Sequence, residues 1–428
     1  MLTFAALLFA WKLGGNRAPG TCAVDTKEDV VTLQCGVEGQ GTFATAADSL
    51  PADEYRGKRV TIRGELLTER ADNGASLWLR VDGEQGVLLL DNGQSDLLTG
   101  DSDWTPKSIT LPVPSTAKKI VFGLLLRGSG TMHARNVRIE TVEATGTTSK
   151  EAQNELDAAI AVIKKNALNR DKVDWKGVEQ TARELALGAQ KPAEVYAAIR
   201  YVLASLGDHH SFLMPPAAQK EMQEAKNPAI DVRVDDRIGY MNVPAYAGGE
   251  QTAARAHVRH AYDDLALNVK SAKCGWIVDL RDNGGGNMWP MLAALRPFLG
   301  DNAVGSFVPA ESSSSRWFAK RDVDIAMPQT LRGLTSAKVA VLTSSRTASS
   351  GEAVVVAFRG RPNTRFFGEP TMGVSTSNEG YPLPDGASIL LTTAVFADRN
   401  GKQYGAKIEP DEVASDALAA AKQWLHCD

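Results

Sequence analysis

Long apolar runs, histidine, cysteine and net charge are all scarce in this chain. No stretch approaches the roughly 20 uninterrupted apolar residues that a membrane-spanning helix needs, so no transmembrane span is expected. The 428 residues carry a formal charge of only −4, which leaves no basic field for nucleic acid to follow. Four cysteines and six histidines show no zinc-ligand spacing, and neither a metal nor another cofactor is expected. Gly-Lys-Ser/Thr and G-x-G-x-x-G are both missing, which argues against nucleotide binding.

What is present is ordinary globular material, 43% hydrophobic and 23% charged, and long enough for two or three domains. Met1 to Trp11 (MLTFAALLFAW) is an apolar run with Lys12 and Arg17 after it, and residues 1–21 are expected to be a leader segment. Cys22 and Cys35 lie close together just beyond, a pair suited to a disulfide in a periplasmic or secreted protein. Cys274, in an apolar context, is expected to be a buried thiol.

Residues 22–145 show short alternating stretches, among them Arg59 to Gly64, Ser76 to Val81 and Lys119 to Leu124. Breaks follow at Asp72-Asn73-Gly74, Asp82-Gly83 and Asn92-Gly93. That pattern predicts an antiparallel β-sandwich, similar in outline to jelly-roll carbohydrate-binding modules. Trp78 and Trp104 are candidates for stacking on a glycan, although such residues more often serve the core. Residues 146–230 are predicted to form a small helical bundle, with amphipathic helices over Ala152–Leu168, Trp175–Leu187 and Pro192–Leu206. Residues 231–428 alternate apolar strands with helices: Arg237–Val243, Trp276–Leu280 and Lys338–Thr343 against Gln251–Lys270, Met288–Leu299 and Gly351–Phe358. Strands apolar on both faces predict an α/β sheet covered on both sides.

Three segments carry chemistry. Thr347-Ala348-Ser349-Ser350-Gly351-Glu352 joins a strand to a helix, where a serine hydroxyl meets backbone N–H groups and the positive end of the helix dipole. Plain N-capping by serine is the competing reading. Asp279 to Gly286 (DLRDNGGG) ends in three successive glycines, a backbone able to aim N–H groups into a cleft. Asp208-His209-His210-Ser211 supplies imidazole, whose pKa suits a general base for a serine.

Taken in order with Phe367 to Gly373 (FGEPTMG) and Ile408-Glu409-Pro410-Asp411, these segments resemble the C-terminal-processing (tail-specific) and tricorn-type serine peptidases over roughly residues 150–428. The resemblance implies a ClpP/crotonase-like α/β core, with Ser349 as nucleophile and oxyanion-hole N–H groups at Gly285 and Ser350. The tail-specific lysine position is occupied by Val374, so the resemblance points to the histidine-dependent, tricorn-like branch with His210 as base. That branch has a glutamate where this chain has Tyr404. Tyr404, Asp398, Glu409 and Asp208 are therefore the candidates to orient His210. The interval from His210 to Arg237 is too short for a PDZ domain. The expected activity is peptide-bond hydrolysis through a Ser349 acyl-enzyme, on a peptide or protein substrate. A catalytically weakened member that binds a peptide, glycan or apolar ligand is the alternative, motivated by Val374 and Tyr404.

Overall fold

The computed structural model describes residues 9–37, 42–84, 86–94, 96–143, 147–224 and 226–427. Residues 1–8 of the expected leader and Gly146 of the expected linker lie outside the described residues. Two compact units form: Met1–Ala161 with Val173–Ser205, and Val162–Lys172 with Leu206–Asp428. The helices predicted at 146–230 are present as Lys150–Asn166, Trp175–Leu185 and Tyr196–Ala204; the last two belong to the first unit, and the unit boundary falls within the first helix.

Among the described residues of the first unit, nine strands join one antiparallel sheet. Its spine is a single strand, Lys58–Gly83. The early half of that strand pairs with Leu98–Pro112 and Gly130–Glu143, and the later half with Lys119–Arg127 and Gly86–Asp91. Asp72-Asn73-Gly74 has turn composition, yet the strand continues through it. Register shifts between Thr68 and Ala75 take up the bend, as bulges do. The break read at Asp82-Gly83 falls at the end of this strand, where Gly83 pairs with Gly86. Alternation places Val60, Ile62, Leu77, Leu79 and Val81 in the core. Lys12–Gly15, inside the span read as a leader, is a strand paired with Ala44–Ala47. Trp78 is 9% exposed and packed with Val121 and Leu125, which removes its face from any sugar. The Trp104 ring carries the Arg135 guanidinium 4.3 Å from its centroid.

The second unit contains two sheets. Its strands are β1 (Phe212–Met214), β2 (Asp231–Asp235), β3 (Ile238–Asn242), β4 (Gly275–Asp279), β5 (Ala303–Pro309), β6 (Ser315–Phe318), β7 (Val339–Thr343), β8 (Thr364–Gly368), β9 (Thr376–Pro382), β10 (Ser388–Asp398) and β11 (Glu412–Val413). Its main helices are α1 (Gln251–Asn268), α2 (Met288–Ala294), α3 (Ser350–Phe358) and α4 (Ala417–Leu425). The larger sheet runs β2-β3-β4-β7-β8-β11, and every pairing after β2–β3 is parallel. Alternate residues go to opposite faces. Trp276, Val278, Val339 and Val341 pack with residues of α1, α2 and α3, while Ile277, Ala340 and Leu342 pack under α4. Both faces are buried, so these strands are apolar throughout. Burial of a large side chain such as Trp276 or Phe298 contributes about 1.5–3 kcal/mol each.

The smaller sheet runs β1-β10-β5-β6, with β9 on the other edge of β10. It brings the segments around residues 210 and 376 beside one central strand.

Cys22 and Cys35 are disulfide-bonded across neighbouring strands. Cys274 is not a thiol: it is bonded to Cys427, 153 residues away. The packing of α4 against the start of β4 brings the two together, a contact that no local pattern reveals. Among the described residues no helix is long and apolar enough to cross a membrane.

Candidate active site

β7 ends at Thr343 and α3 begins at Ser350, so the intervening turn is short and must be held firmly. Thr347 Oγ1 accepts from Ser344 N–H (3.0 Å) and donates to Leu280 O (2.8 Å). Ser344 Oγ donates to Arg281 O at 2.5 Å, and Ala348 N–H to Asn283 O at 3.0 Å. The serine turn is thereby stitched to the glycine turn that follows β4. Gly351 lies against that second turn: a Cβ there would stand 2.4 Å from Asn283 O. Only glycine permits the approach.

Ser349 takes φ +51° and ψ −119°, which an L-residue occupies at a cost of about 1–3 kcal/mol. A strained serine between a strand and a helix is the geometry of a nucleophile elbow. Its N–H donates to Glu352 Oε2 at 3.0 Å. Glu352 is fully buried and also accepts from Val374 N–H (2.9 Å), Gly373 N–H (3.1 Å) and Thr371 Oγ1 (2.5 Å). Burial raises its carboxyl pKa above the usual range, although these four donors oppose the shift. Val374, where the resemblance expects a lysine, offers Glu352 a backbone N–H and no side-chain charge.

His210 Nε2 stands 3.0 Å from Ser349 Oγ. The helix-cap reading of Ser349 therefore does not exhaust what its hydroxyl does. Burial holds the imidazole pKa below its ordinary value, against the opposing pull of the Asp208 carboxylate. The neutral ring is the form a general base requires.

None of the acidic or phenolic groups expected behind His210 is bonded to its ring. Asp208 caps the loop: Oδ1 accepts from His210 N–H (2.9 Å) and Ser211 N–H (2.8 Å), and Oδ2 from Ser211 Oγ (2.6 Å). Tyr404 donates to Asp398 Oδ2 at 3.0 Å, and Asp398 Oδ1 accepts from the N–H groups of Asn400 and Lys402. That pair closes the turn after β10. Burial, with Asp398 beside it, raises the Tyr404 pKa. Glu409 offers its backbone carbonyl to Arg359. The group that does face His210 Nδ1 is Thr376 Oγ1, at 2.7 Å. Thr376 lies two residues past Val374, and its hydroxyl carries no sequence signal of its own.

The glycine turn is bonded within itself. The Gly285 N–H, expected to face an oxyanion, donates to Asn283 Oδ1 at 3.0 Å. What glycine supplies there is room at φ +104°: a Cβ would lie 2.8 Å from Ser349 Cβ and 3.0 Å from Ser350 N. Asn283, fully buried, is fixed by Nδ2 bonds to Val243 O and Pro244 O. Ser350 N–H has no acceptor among the described residues, and its Oγ donates to Gly286 O at 2.5 Å.

Residues 237–414 match the sequence model of peptidase family S41. The nisin-resistance protein of Lactococcus lactis is 26% identical over 269 residues, a match covering 60% of this chain and 81% of that protein. Carboxyl-terminal-processing peptidase 2 of Arabidopsis thaliana is 30% identical over 160 residues, which are 37% of this chain and 28% of that one. Among solved structures, a lipoprotein from Streptococcus agalactiae shares the fold with a TM-score of 0.57 and 23% identity, covering 66% of this chain and 98% of its own. These matches place residues 237–414 with peptidase family S41, with carboxyl-terminal-processing peptidases among the relatives, and support a serine-type peptidase.

Proposed function

We propose that this protein hydrolyses peptide bonds through an acyl-enzyme on Ser349, with His210 as general base. The observation that carries the reading is the 3.0 Å approach of His210 Nε2 to Ser349 Oγ. His210 takes the Oγ proton as oxygen attacks the peptide carbonyl, then returns it to the departing amine, and water releases the acyl group. The open N–H of Ser350 donates to the oxyanion, in the space that Gly285 leaves clear. No lysine takes part, because Val374 stands where one would be. The substrates are peptides or unfolded chain ends. Two disulfides support a working place in the periplasm or outside the cell.

Labelling with a fluorophosphonate tests this reading. The wild type should take up the probe, and Ser349→Ala should not. A wild type that stays unlabelled while another serine hydrolase reacts under the same conditions would make the chain a binding protein on a peptidase fold.

A further inference from the structure

We propose that Thr376 positions His210, fixing its Nδ1–H tautomer and ring plane, so that a neutral hydroxyl holds the place where a carboxylate is expected. The proposal rests on the reading of Ser349 and His210 above and deepens it.

Thr376 is 7% exposed and opens β9, with its N–H bound to Val374 O at 2.8 Å and its register to β10 set by pairing with Val395. The base loop is clamped to the same strands. Asn378 Nδ2 donates to His210 O at 2.7 Å, and Thr392 Oγ1 donates to Asn378 Oδ1 at 2.8 Å. Thr392 N–H also donates to Ser211 Oγ at 3.0 Å. The backbone of His210 is thus held from β9 and β10, and Thr376 Oγ1 meets the ring from β9 at 2.7 Å.

The titratable groups nearby are committed elsewhere. Asp208 spends both oxygens on the loop backbone and Ser211, and His209 is exposed. Glu352, on the helix behind Ser349, serves four other donors. On β9, Glu379 accepts from Tyr381, and at the end of β10, Asp398 accepts from Tyr404. The ring therefore has one partner on each side.

With the proton on Nδ1 donated to Thr376 Oγ1, Nε2 turns a lone pair toward Ser349. In the reaction the Ser349 proton moves to Nε2 and the imidazolium keeps its bond to Thr376, which takes no proton. A hydroxyl orients the ring but adds no negative charge to stabilise the imidazolium. The arrangement keeps the base neutral in mildly acidic conditions, in agreement with its lowered pKa.

The test measures fluorophosphonate labelling rate against pH for the whole protein and for Thr376→Val, Thr376→Ser and Thr376→Asp. Each variant is checked for folding by thermal melting. Thr376→Val should label about three- to tenfold more slowly, the worth of one neutral hydrogen bond, and Thr376→Ser should recover most of the rate. Thr376→Asp should move the acidic limb of the profile to higher pH. Nitrogen NMR of the imidazole should show Nδ1–H in the wild type and a mixture of tautomers in Thr376→Val. A folded Thr376→Val with wild-type rate, acidic limb and tautomer overturns the assignment to Thr376 alone. Full labelling of His210→Ala overturns the underlying reading, and this one with it.

Discussion

The two sides of the proposed catalytic pair are built in opposite ways. Ser349 is held by its neighbours in sequence and by one adjoining turn: Glu352 takes its N–H three residues on, and Asn283 takes the Ala348 N–H. His210 is held from far along the chain, through Thr376, Asn378 and Thr392 on β9 and β10. One side is a strained elbow whose position is set by the start of a helix. The other is a loop whose position is set by a sheet. A nucleophile must sit at a fixed place relative to backbone N–H groups, and a strand-to-helix turn provides both together. A base must only reach the nucleophile in the right tautomer, and any scaffold that presents it will serve.

The contrast is broken most severely by His210→Ala. With Ser349 still in its elbow, peptidase turnover and probe labelling should both fall by on the order of 10⁴–10⁶. A fall of less than tenfold would mean that the elbow activates its own serine. On the nucleophile side, Gly285→Ala places a Cβ 2.8 Å from Ser349 Cβ in a backbone at φ +104°. Because that Cβ also stands 3.0 Å from Ser350 N and crowds its open N–H, activity should drop about 10²–10³-fold, the size of an oxyanion-donor loss, while circular dichroism shows the fold retained. Unchanged activity would place the oxyanion elsewhere. The smallest effect is in pH. Because burial lowers the His210 pKa, the neutral base persists below pH 6.5 and is lost only as pH falls through the lowered value. The acidic limb of the labelling profile should therefore lie below 6.5, and a limb above it would require a carboxylate at the ring.

The same contrast explains what can be read from the sequence. The central strands of the larger sheet and the helices beside them lie where periodicity puts them, as with Val339–Thr343 and Ser350–Phe358, because local pattern decides them, whereas smaller-sheet strands such as Ala303–Pro309 carry no such signal. The nucleophile turn and the glycine turn are local motifs too, and the family resemblance draws most of its force from them. Thr376 is not local: it meets His210 across 166 residues, and a threonine beginning a strand is unremarkable. Cys274–Cys427 spans 153 residues and is invisible to local pattern for the same reason. The direction of the Gly285 N–H escapes the sequence because its acceptor is a side chain, Asn283, whose rotamer follows from tertiary contacts with Val243 and Pro244. In the first unit, Asp72-Asn73-Gly74 has the composition of a turn, but pairing along Lys58–Gly83 overrides it with a bulge.

The most direct measurement is mass spectrometry of the protein after fluorophosphonate treatment at neutral pH, comparing wild type with Ser349→Ala and His210→Ala. A single adduct on the peptide containing Ser349, absent from Ser349→Ala and strongly slowed in His210→Ala, is the predicted result. An adduct on another serine, or none on a wild type that still cleaves peptides, would contradict Ser349 as the nucleophile.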